Sequence, residues 1–511
     1  MQPDNPPLTD DALAERDVER LARGAGVTLF GRVFGKGVTF IGQIVLGRVL
    51  GPAAFGAYGL CDSVITIVTV VGPVGMNNGV IRFGARHWRT DPRQLSYVFF
   101  RSIWLAFAAG MALGLGFFLI TPWLAEEVFA RPELVPAFRL VAFAFPLIPG
   151  LRVAAAATRV SQRTLFSVLS EDITQPVIGL ALFVVFILLG WGLLGALWAS
   201  VLSFLIAFIV ALGFLRRLFP NSNPFNFRGG LFDKELLLFS IPTTLTGVFS
   251  VLILQVDRFF VGHYLSAAEL GVYQAVSQSA IAFAVILGAF NSIFAPMIAD
   301  LYHSNDLPRL AQLYRISTKW GLYLALPMYV VICAAPGLVL LALFGAAYSG
   351  GTLPLVILST GQLINVGTGA LGFLLVMTGR QKTWMFITGV MLLLDLLLNI
   401  LLTPRLGLTG SALATGMAVS GVNLVALFWV KSAMCLWPFD RRYLKGVLAA
   451  AASGVVGVAL LSLSVSSPWV SLFLVVGGVA GTFGLVLVLS GLDPEDHLFL
   501  RQLRARLARL V

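Results

Sequence analysis

Several basic side chains lie inside long apolar stretches of this sequence, where a charge is costly unless it faces protein or water. Arg32 and Lys36 are four residues apart, so a helix places both on one face. Arg152 approaches a similar depth from the opposite end of a later stretch, and Arg48 and Arg139 lie near the ends of theirs. Several cations at one depth suit an anionic group such as a pyrophosphate. We therefore predict that Arg32, Lys36 and Arg152 bind such a group, with Arg48 and Arg139 as further candidates.

Ordinary structural roles also account for these cations. The pair in the first stretch can extend along the helix to the cytoplasmic interface. Arg152 can be neutralised by Glu171 and Asp172, which begin the following stretch, and Arg48 can pair with Asp62. Both interpretations stay open at this point.

Two acidic residues inside apolar stretches are candidates for ion coupling. Asp395 lies deep in the run MLLLDLLLN, where it either binds a proton or a cation or is hydrogen-bonded by Asn399 and neighbouring helices. Asp257 precedes Arg258 directly, so the two side chains point in different directions along a helix. An ion pair or a contact between lobes suits Asp257 better than contact with a substrate.

The composition is that of a polytopic membrane protein. Of the 511 residues, 58% are hydrophobic and only 12% are charged, and the mean hydropathy is +0.90, whereas soluble domains carry about 25% charged residues. The net charge of +11 is explained by basic cytoplasmic loops, so no nucleic-acid partner is predicted. The three cysteines and four histidines are scattered, and no glycine-rich phosphate loop is present. We predict no metal, no cofactor, no catalytic residue and no enzymatic activity.

Apolar stretches long enough to cross a bilayer, about 20 residues each, number fourteen. They lie near residues 25–50, 56–81, 98–121, 136–158, 166–189, 191–215, 235–262, 268–296, 317–344, 351–378, 383–403, 408–430, 443–466 and 468–490.

The distribution of basic residues supports this count and orients the chain. All but eight of the 35 Lys and Arg residues lie in or beside the two tails and the even-numbered loops. Only Arg131 and Arg405 lie in odd-numbered loops, and the other six lie inside the stretches. Because basic residues collect on the cytoplasmic side, we predict a multi-pass protein of the cell inner (plasma) membrane with both termini in the cytoplasm.

The sequence contains an internal repeat. The stretch Gly47–Tyr58, GRVLGPAAFGAY, returns 215 residues later as Gly262–Tyr273, GHYLSAAELGVY, and Gly192–Ser200 returns at the same offset as Gly407–Thr415. Two matches at one offset indicate a duplicated unit. The three central cations have uncharged counterparts in the second copy, at Gly247, Val251 and Gly367, which suggests that they serve a purpose other than folding.

The repeat predicts an all-α architecture of two pseudo-symmetric six-helix lobes plus two added helices. Each unit has an even number of spans, so both insert the same way and are related by an axis along the membrane normal. The predicted segments are a cytoplasmic tail (1–24), the first lobe (25–218), a linker (219–234), the second lobe (235–436), helices 13 and 14 (437–490) and a basic cytoplasmic tail (491–511).

Two stretches resemble a known family. The first, residues 21–60, joins a short basic tail and a long helix to a turn of the form R-x-L-G-P-x-x-F-G-x-Y. The second, residues 379–415, contains LNILLTPRLGLTGSALAT, where Thr403 and Ser411 are mild departures from the usual pattern. These motifs resemble the polysaccharide-biosynthesis flippases of the multidrug/oligosaccharidyl-lipid/polysaccharide exporter superfamily. The matching residues of the first motif are Arg48, Leu50, Gly51, Pro52, Phe55, Gly56 and Tyr58.

The resemblance implies a fold like that of the MATE transporters and a flippase function. Relatives of this kind move polyprenyl-diphosphate-linked oligosaccharides across the cytoplasmic membrane by alternating access, for surface polysaccharide such as O-antigen. The expected partners are that substrate, membrane lipid, a polysaccharide polymerase and glycosyltransferases, with the flippase itself a monomer. A lipid II flippase or a multidrug antiporter of the same superfamily is the alternative, and a membrane glycosyltransferase is the alternative from another class.

Overall fold

The computed structural model describes residues 10–88, 90–220, 234–463, 467–491, 493 and 495–497, with side chains from Phe30 onward except at 234–243, 292, 293 and 296. Throughout these ranges the regular structure consists of helices, and they contain no strand. The prediction of an all-α protein is therefore confirmed. Much of the two predicted tails, 1–24 and 491–511, and of the predicted linker, 219–234, lies outside the described residues.

The chain divides into two compact units. The first comprises the described residues up to Gly42 together with Val64–Val248, and the second comprises Gln43–Ser63 together with those from Phe249 onward. The predicted lobe boundaries were drawn from the sequence repeat, and the compact units do not test them, so they remain a prediction.

Eight α-helices begin in the first part of the chain. They are α1 (Asp10–Val71), α2 (Met76–His87), α3 (Pro92–Trp123), α4 (Leu134–Ala142), α5 (Ala144–Thr158), α6 (Leu165–Ser167), α7 (Gln175–Leu188) and α8 (Gly192–Leu218). Two π-helical segments, Leu124–Val128 and Val168–Thr174, and a 3-10 turn, Arg159–Ser161, interrupt them. The core of the first unit forms where α2, α3, α5 and α8 meet around Phe99, which is fully buried.

Ten further α-helices follow. They are α9 (Lys234–Tyr264), α10 (Ala267–His303), α11 (Leu307–Ala334), α12 (Pro336–Leu343), α13 (Thr352–Gly367), α14 (Leu371–Met377), α15 (Gln381–Leu406), α16 (Leu408–Met434), α17 (Tyr443–Leu461) and α18 (Pro468–Leu489). The largest core of the second unit lies among α10, α11, α14, α15 and α16, and a smaller one joins α17 and α18 to α11. Large apolar side chains such as Phe386 and Leu393 stay exposed, which suits helices that face lipid.

Within the described residues, twelve helices are long and apolar enough to cross a membrane, and a bent pair, Ala346–Gly367 with Leu371–Met377, makes a thirteenth. One of the twelve, Phe30–His87, is 58 residues long, whereas one crossing needs about 20. That helix is interrupted at Gly51 and contains two of the predicted stretches. The predicted count of fourteen stretches exceeds the thirteen helical spans by one, because two predicted stretches are merged in this one long helix.

The two copies of the repeated turn break the helix at equivalent positions. At Gly51 the backbone has φ 72° and ψ 170°, a conformation that glycine adopts without strain, and Pro52 then suits the first helical position, where no N–H is needed. In the second copy Ser266 caps α10 instead, and its side chain and that of Glu269 form a reciprocal capping box. The turn predicted at Gly51-Pro52 is therefore present.

The two turns also pack directly against each other within the second unit. A Cβ on Gly271 would lie 1.8 Å from the carbonyl oxygen of Pro52, and one on Gly56 would lie 2.6 Å from that of Ala267. Gly56 and Gly271 are equivalent in the repeat, and so are Pro52 and Ala267. A reciprocal contact of this kind is what a two-fold relation between equivalent segments produces.

Candidate functional site

A polar cavity of about 290 Å³ lies in the first unit. The polar and charged residues that line it are Arg152, Asn77, Asn78, Thr69 and Thr244. Of the five predicted cations, Arg152 lines this cavity and the other four, which the structure also describes, do not.

A break between α1 and α2 positions the two asparagines. After Val71 the chain turns through Gly72–Gly75, and Val74 and Gly75 both have left-handed backbones, with φ of 48° and 72°. This conformation is strained for a β-branched residue such as Val74, and such strain is concentrated at functional sites. Because α2 begins at Met76, Asn77 and Asn78 fall in its first turn at the cavity wall.

Arg152 is held by a carboxylate that it shares with a second arginine. Its Nη1 lies 3.9 Å from Oε1 of Glu171, whereas Nη2 of Arg159 lies 3.2 Å from Oε2 of the same residue. Nε of Arg159 also donates a hydrogen bond to the hydroxyl of Ser167. Two guanidinium groups therefore share one carboxylate, and of the two Arg152 has the longer ion pair and a side chain that is 44% exposed.

Arg32 approaches the same carboxylate from α1. Glycines on either side of it allow α1 to pack tightly on the π-helical segment Val168–Thr174, since a Cβ on Gly31 would lie 2.0 Å from Val168 and one on Gly35 would lie 1.8 Å from the carbonyl oxygen of Asp172. Gly31 and Gly35, four residues apart, thus allow close helix packing. Arg32 is exposed and contributes to the electrostatic environment of Glu171, as Arg152 and Arg159 do. Lys36, one turn further, is also exposed.

Arg48 and Arg139 contact other parts of the protein. Nε of Arg48 donates a hydrogen bond of 2.8 Å to the carbonyl oxygen of Leu343, its Nη2 donates to that of Ala342, and its guanidinium lies 5.3 Å from the ring centroid of Trp469. A cation at the last carbonyls of α12 is stabilised by the helix dipole. The guanidinium of Arg139 lies 5.1 Å from the ring centroid of Phe118.

Asp257 lies in a buried polar network of the second unit. Asp257 and Arg258 are 2% and 1% exposed, and their closest side-chain approach is 3.7 Å. The backbone N–H of Arg258 and the hydroxyl of Tyr273 each donate a 2.8 Å hydrogen bond to the Asp257 carboxylate. Thr415 donates a longer bond, 3.3 Å, to the same oxygen as Tyr273. Asp257 therefore forms the ion pair that its position next to Arg258 suggested.

Asp395 is fully buried nearby and only one of its oxygens is satisfied. Nδ2 of Asn399 donates a 3.0 Å hydrogen bond to Oδ1, whereas Oδ2 has no hydrogen-bond partner among the described residues. Asn399 in turn accepts a bond from Ser411, whose hydroxyl lies 3.5 Å from the carbonyl oxygen of Asp257. A buried carboxylate oxygen without a partner is satisfied by a proton or a small cation. The described residues include no group of three or more His, Cys, Asp or Glu suited to a metal ion.

Sequence reasoning missed the asparagine pair. Asn77 and Asn78 fall inside the predicted stretch 56–81, and nothing in the repeat points to them. The run VVGPVGMNNG, with a proline, three glycines and two amides inside an apolar stretch, is the signal that could have identified a break there. The shared role of Glu171 was foreseen only as the structural alternative for Arg152.

The helical architecture resembles that of solved membrane transporters of the MATE type. The inward-closed structure of the lipid II flippase MurJ matches 90% of this chain and 97% of its own with a TM-score of 0.70 at 14% identity. The inward-facing structure of a multidrug resistance MATE family transporter of the MOP superfamily matches 78% of this chain and 94% of its own with a TM-score of 0.62 at 16% identity. At these identities the likeness is one of fold, and the MATE-like prediction is confirmed.

The chain belongs to the family described as "Polysaccharide biosynthesis protein", whose profile matches residues 21–302. It is 24% identical to the succinoglycan biosynthesis transport protein ExoT of Rhizobium meliloti (strain 1021) over 361 residues, which are 69% of this chain and 68% of ExoT. It is 26% identical to the uncharacterized membrane protein EpsK of Bacillus subtilis (strain 168) over 272 residues, about half of each chain. The predicted family is therefore confirmed, and the protein is a multi-pass membrane protein of polysaccharide biosynthesis.

Proposed function

We propose that this protein is a flippase that moves a polyprenyl-diphosphate-linked oligosaccharide from the inner to the outer leaflet of the cytoplasmic membrane by alternating access. The family and the relative named for succinoglycan transport support a role in carrying polysaccharide precursors. The observation that carries the proposal is Arg152, a basic residue in the wall of a polar cavity of a protein that is 58% hydrophobic. It is proposed to act as a transporter rather than as an enzyme, with both termini in the cytoplasm.

The cations of the first unit would neutralise the diphosphate. A diphosphate does not leave the cytoplasmic interface unless its charge is balanced, and guanidinium groups bind phosphate oxygens in a bidentate manner, whereas Lys acts as a point charge. Arg152 is assigned the direct contact, because it lines the cavity and is the more weakly held of the two partners of Glu171. Arg32 and Lys36 are assigned to the path of the diphosphate along α1. Arg48 and Arg139 are assigned a weaker part, because both have contacts elsewhere.

Asp257 and Asp395 are proposed to bind the ion that drives the cycle. Both are buried in the second unit, and Asp395 has an oxygen that a proton or a monovalent cation would satisfy. Asp395→Asn should keep the hydrogen-bonding capacity toward Asn399 and remove the charge. We expect export that no longer responds to a proton or sodium gradient, and an unchanged gradient response would refute this assignment.

The remaining assignments follow from the repeat and the family. The lobes are proposed to be residues 25–218 and 235–436, with 437–490 as additional helices and 1–24, 219–234 and 491–511 as cytoplasmic segments. We propose a monomer that receives its substrate from glycosyltransferases and delivers it to a polysaccharide polymerase. A lipid II flippase would share the fold and the demand for cations, whereas a multidrug antiporter for cationic compounds would not favour Arg152 in its cavity.

Transport in reconstituted vesicles tests the proposal. The purified protein is placed in proteoliposomes with a fluorescent polyprenyl-diphosphate oligosaccharide, and the fraction that reaches the opposite leaflet is followed by quenching. We expect Arg152→Ala to slow transfer at least tenfold and Arg152→Lys to slow it less, whereas Arg441→Ala, an exposed arginine outside the helices, keeps the wild-type rate. Transfer by the wild type at the rate of empty vesicles would refute the proposed function.

A further inference from the structure

The cavity of the first unit contains more hydrogen-bonding groups than charge neutralisation requires. Asn77 and Asn78 are consecutive, and both face the space that Arg152 lines, together with Thr69 at the end of α1. A phosphate accepts hydrogen bonds and donates few, so it needs only donors. An asparagine amide offers both donors and an acceptor, which matches a ligand that also carries donors, such as sugar hydroxyl or acetamido groups.

The asparagines and Arg152 are held in fixed relative positions. Gly72, in the turn that precedes α2, lies so close to α5 that a Cβ there would be 2.5 Å from Cγ of Pro149. Pro149 lies three residues before Arg152 on the same helix, which is about one helical turn. The strained turn at Val74 and Gly75 is thus packed directly on the helix that carries Arg152. A binding constellation is preorganised when its side chains come from packed elements in this way.

The cavity is small, since a volume of about 290 Å³ lies at the lower end of the range for small-molecule sites, about 300 to 1,000 Å³. A phosphate and one sugar ring match such a volume, and further sugars of a longer oligosaccharide would extend beyond it. If Arg152 binds the phosphate, the group next to it is the sugar joined directly to the diphosphate.

We propose that Asn77 and Asn78 form a specificity subsite that binds the hydroxyl or acetamido groups of the sugar joined to the diphosphate, while Arg152 binds the phosphate. The inference rests on the proposed flippase function and assigns to these residues a selective role within it. A site built to hydrogen-bond a substrate group rejects a ligand without that group strongly, because its own polar atoms are left unpaired. The protein therefore distinguishes a glycosylated lipid diphosphate from a bare one.

Binding measurements with defined lipids test the subsite. The full chain in nanodiscs is titrated with three probes: undecaprenyl diphosphate, and the same lipid carrying a single glucose or a single N-acetylglucosamine. We expect the wild type to bind at least one glycosylated probe about tenfold more tightly than the bare lipid, the effect of one or two good hydrogen bonds. The double variant Asn77→Leu/Asn78→Leu should bind all three probes with the affinity of the wild type for the bare lipid.

Controls separate this proposal from the function on which it rests. Arg152→Ala should weaken the binding of every probe, and Gln94→Leu, which removes an exposed amide from the first turn of α3, should change nothing. Asn78→Ala is a milder variant for the case in which the double variant does not fold. If the wild type binds the probes but the asparagine variants keep its sugar preference, the subsite is refuted and the flippase function stands. If the wild type binds none of the probes, both are refuted.

Discussion

At the scale of single residues, Arg48 and Arg152 are two arginines with different surroundings. Both lie in apolar stretches of the sequence, and sequence reasoning proposed both as cavity cations, with Arg48 as the further candidate. The structure distinguishes them, because Arg48 donates to carbonyl oxygens almost 300 residues away in the chain, whereas Arg152 lines a cavity. The carboxylate partner of Arg152, Glu171, was predictable because it begins the next stretch, whereas the partners of Arg48 were not, because they come from a distant part of the chain.

Arg48→Ala should therefore lower stability more than it lowers binding. The variant removes the cation from the carboxyl end of α12 and from the ring of Trp469, contacts worth about 1–2 kcal/mol together. We expect a lower Tm in detergent and nearly unchanged affinity for a polyprenyl diphosphate, with Val49→Ala as the neighbouring exposed control. Arg152→Ala should show the reverse pattern. If Arg48→Ala lowers the affinity without lowering the Tm, Arg48 contributes to ligand binding and this prediction is wrong.

At the scale of elements, the sequence predicted the helices and the repeat better than it predicted their breaks. The turn at Gly51-Pro52 was predictable, because both residues have strong backbone preferences and the motif recurs 215 residues later. The break at Val74 and Gly75 was missed although Gly72 and Pro73 signal it, because apolar residues surround it and Val74 adopts a conformation unusual for its type. The asparagines of the cavity were missed for the same reason.

The reciprocal contact between the repeated turns predicts opposite effects for two glycines of α10. Gly271→Ala would place a methyl group 1.8 Å from a backbone oxygen of Pro52, and overpacking of this kind costs about 1–3 kcal/mol. Gly288 lies in the same helix with no atom near its absent side chain. Gly288→Ala should therefore be neutral or should stabilise the helix by up to about 1 kcal/mol. The measurement is the Tm of each variant, and equal Tm values would mean that the turns do not pack as described.

A cluster of ion pairs fixes the segment after α18 to two helices of the second unit. Lys319 on α11 is 2% exposed, and its Nζ lies 3.0 Å from carboxylate oxygens of both Asp493 and Asp496. Lys445 on α17 lies 2.9 Å from Asp493. Arg442, just before α17, lies 2.8 Å from Glu495. The segment thus neutralises a lysine that would otherwise be a buried charge.

Replacing Asp493 and Asp496 alone should lower the stability of the fold far more than replacing them together with Lys319. Asp493→Asn/Asp496→Asn leaves Lys319 buried without a carboxylate partner, which costs about 3–5 kcal/mol, whereas apolar replacement of a buried ion pair is often neutral. We expect that adding Lys319→Met restores most of the lost Tm. No recovery in the triple variant would show that the aspartates act through contacts other than Lys319.

Acidification should weaken the same cluster. Burial by itself raises the pKa of Asp493, but hydrogen bonds from Lys445 and Lys319 outweigh it and hold this pKa below its ordinary value. A carboxylate with a lowered pKa in the folded state stabilises the fold above its ordinary pKa, about 3.9, and this stabilisation is lost as the pH falls through the folded value. The Tm of the wild type should therefore fall more steeply below about pH 4 than that of the triple variant.

At the scale of the whole molecule, the positions of the basic residues predict a topology that can be measured directly. Glu133 lies in the third loop and Ser304 in the eighth, and both are exposed. Because odd-numbered loops contain almost no Lys or Arg, we expect Glu133 outside the cytoplasm and Ser304 inside it.

Cysteine labelling tests this topology. The three native cysteines, Cys61, Cys333 and Cys435, are first replaced by serine or alanine. A membrane-impermeant maleimide should then label Glu133→Cys in intact spheroplasts, and should label Ser304→Cys only after the membrane is opened. Detergent-solubilised protein, in which both cysteines must react, is the control for accessibility. Labelling of Ser304→Cys in intact spheroplasts would require a missed or additional crossing between the two positions. The parallel insertion of the two repeats would then be wrong, because it depends on an even number of spans in each.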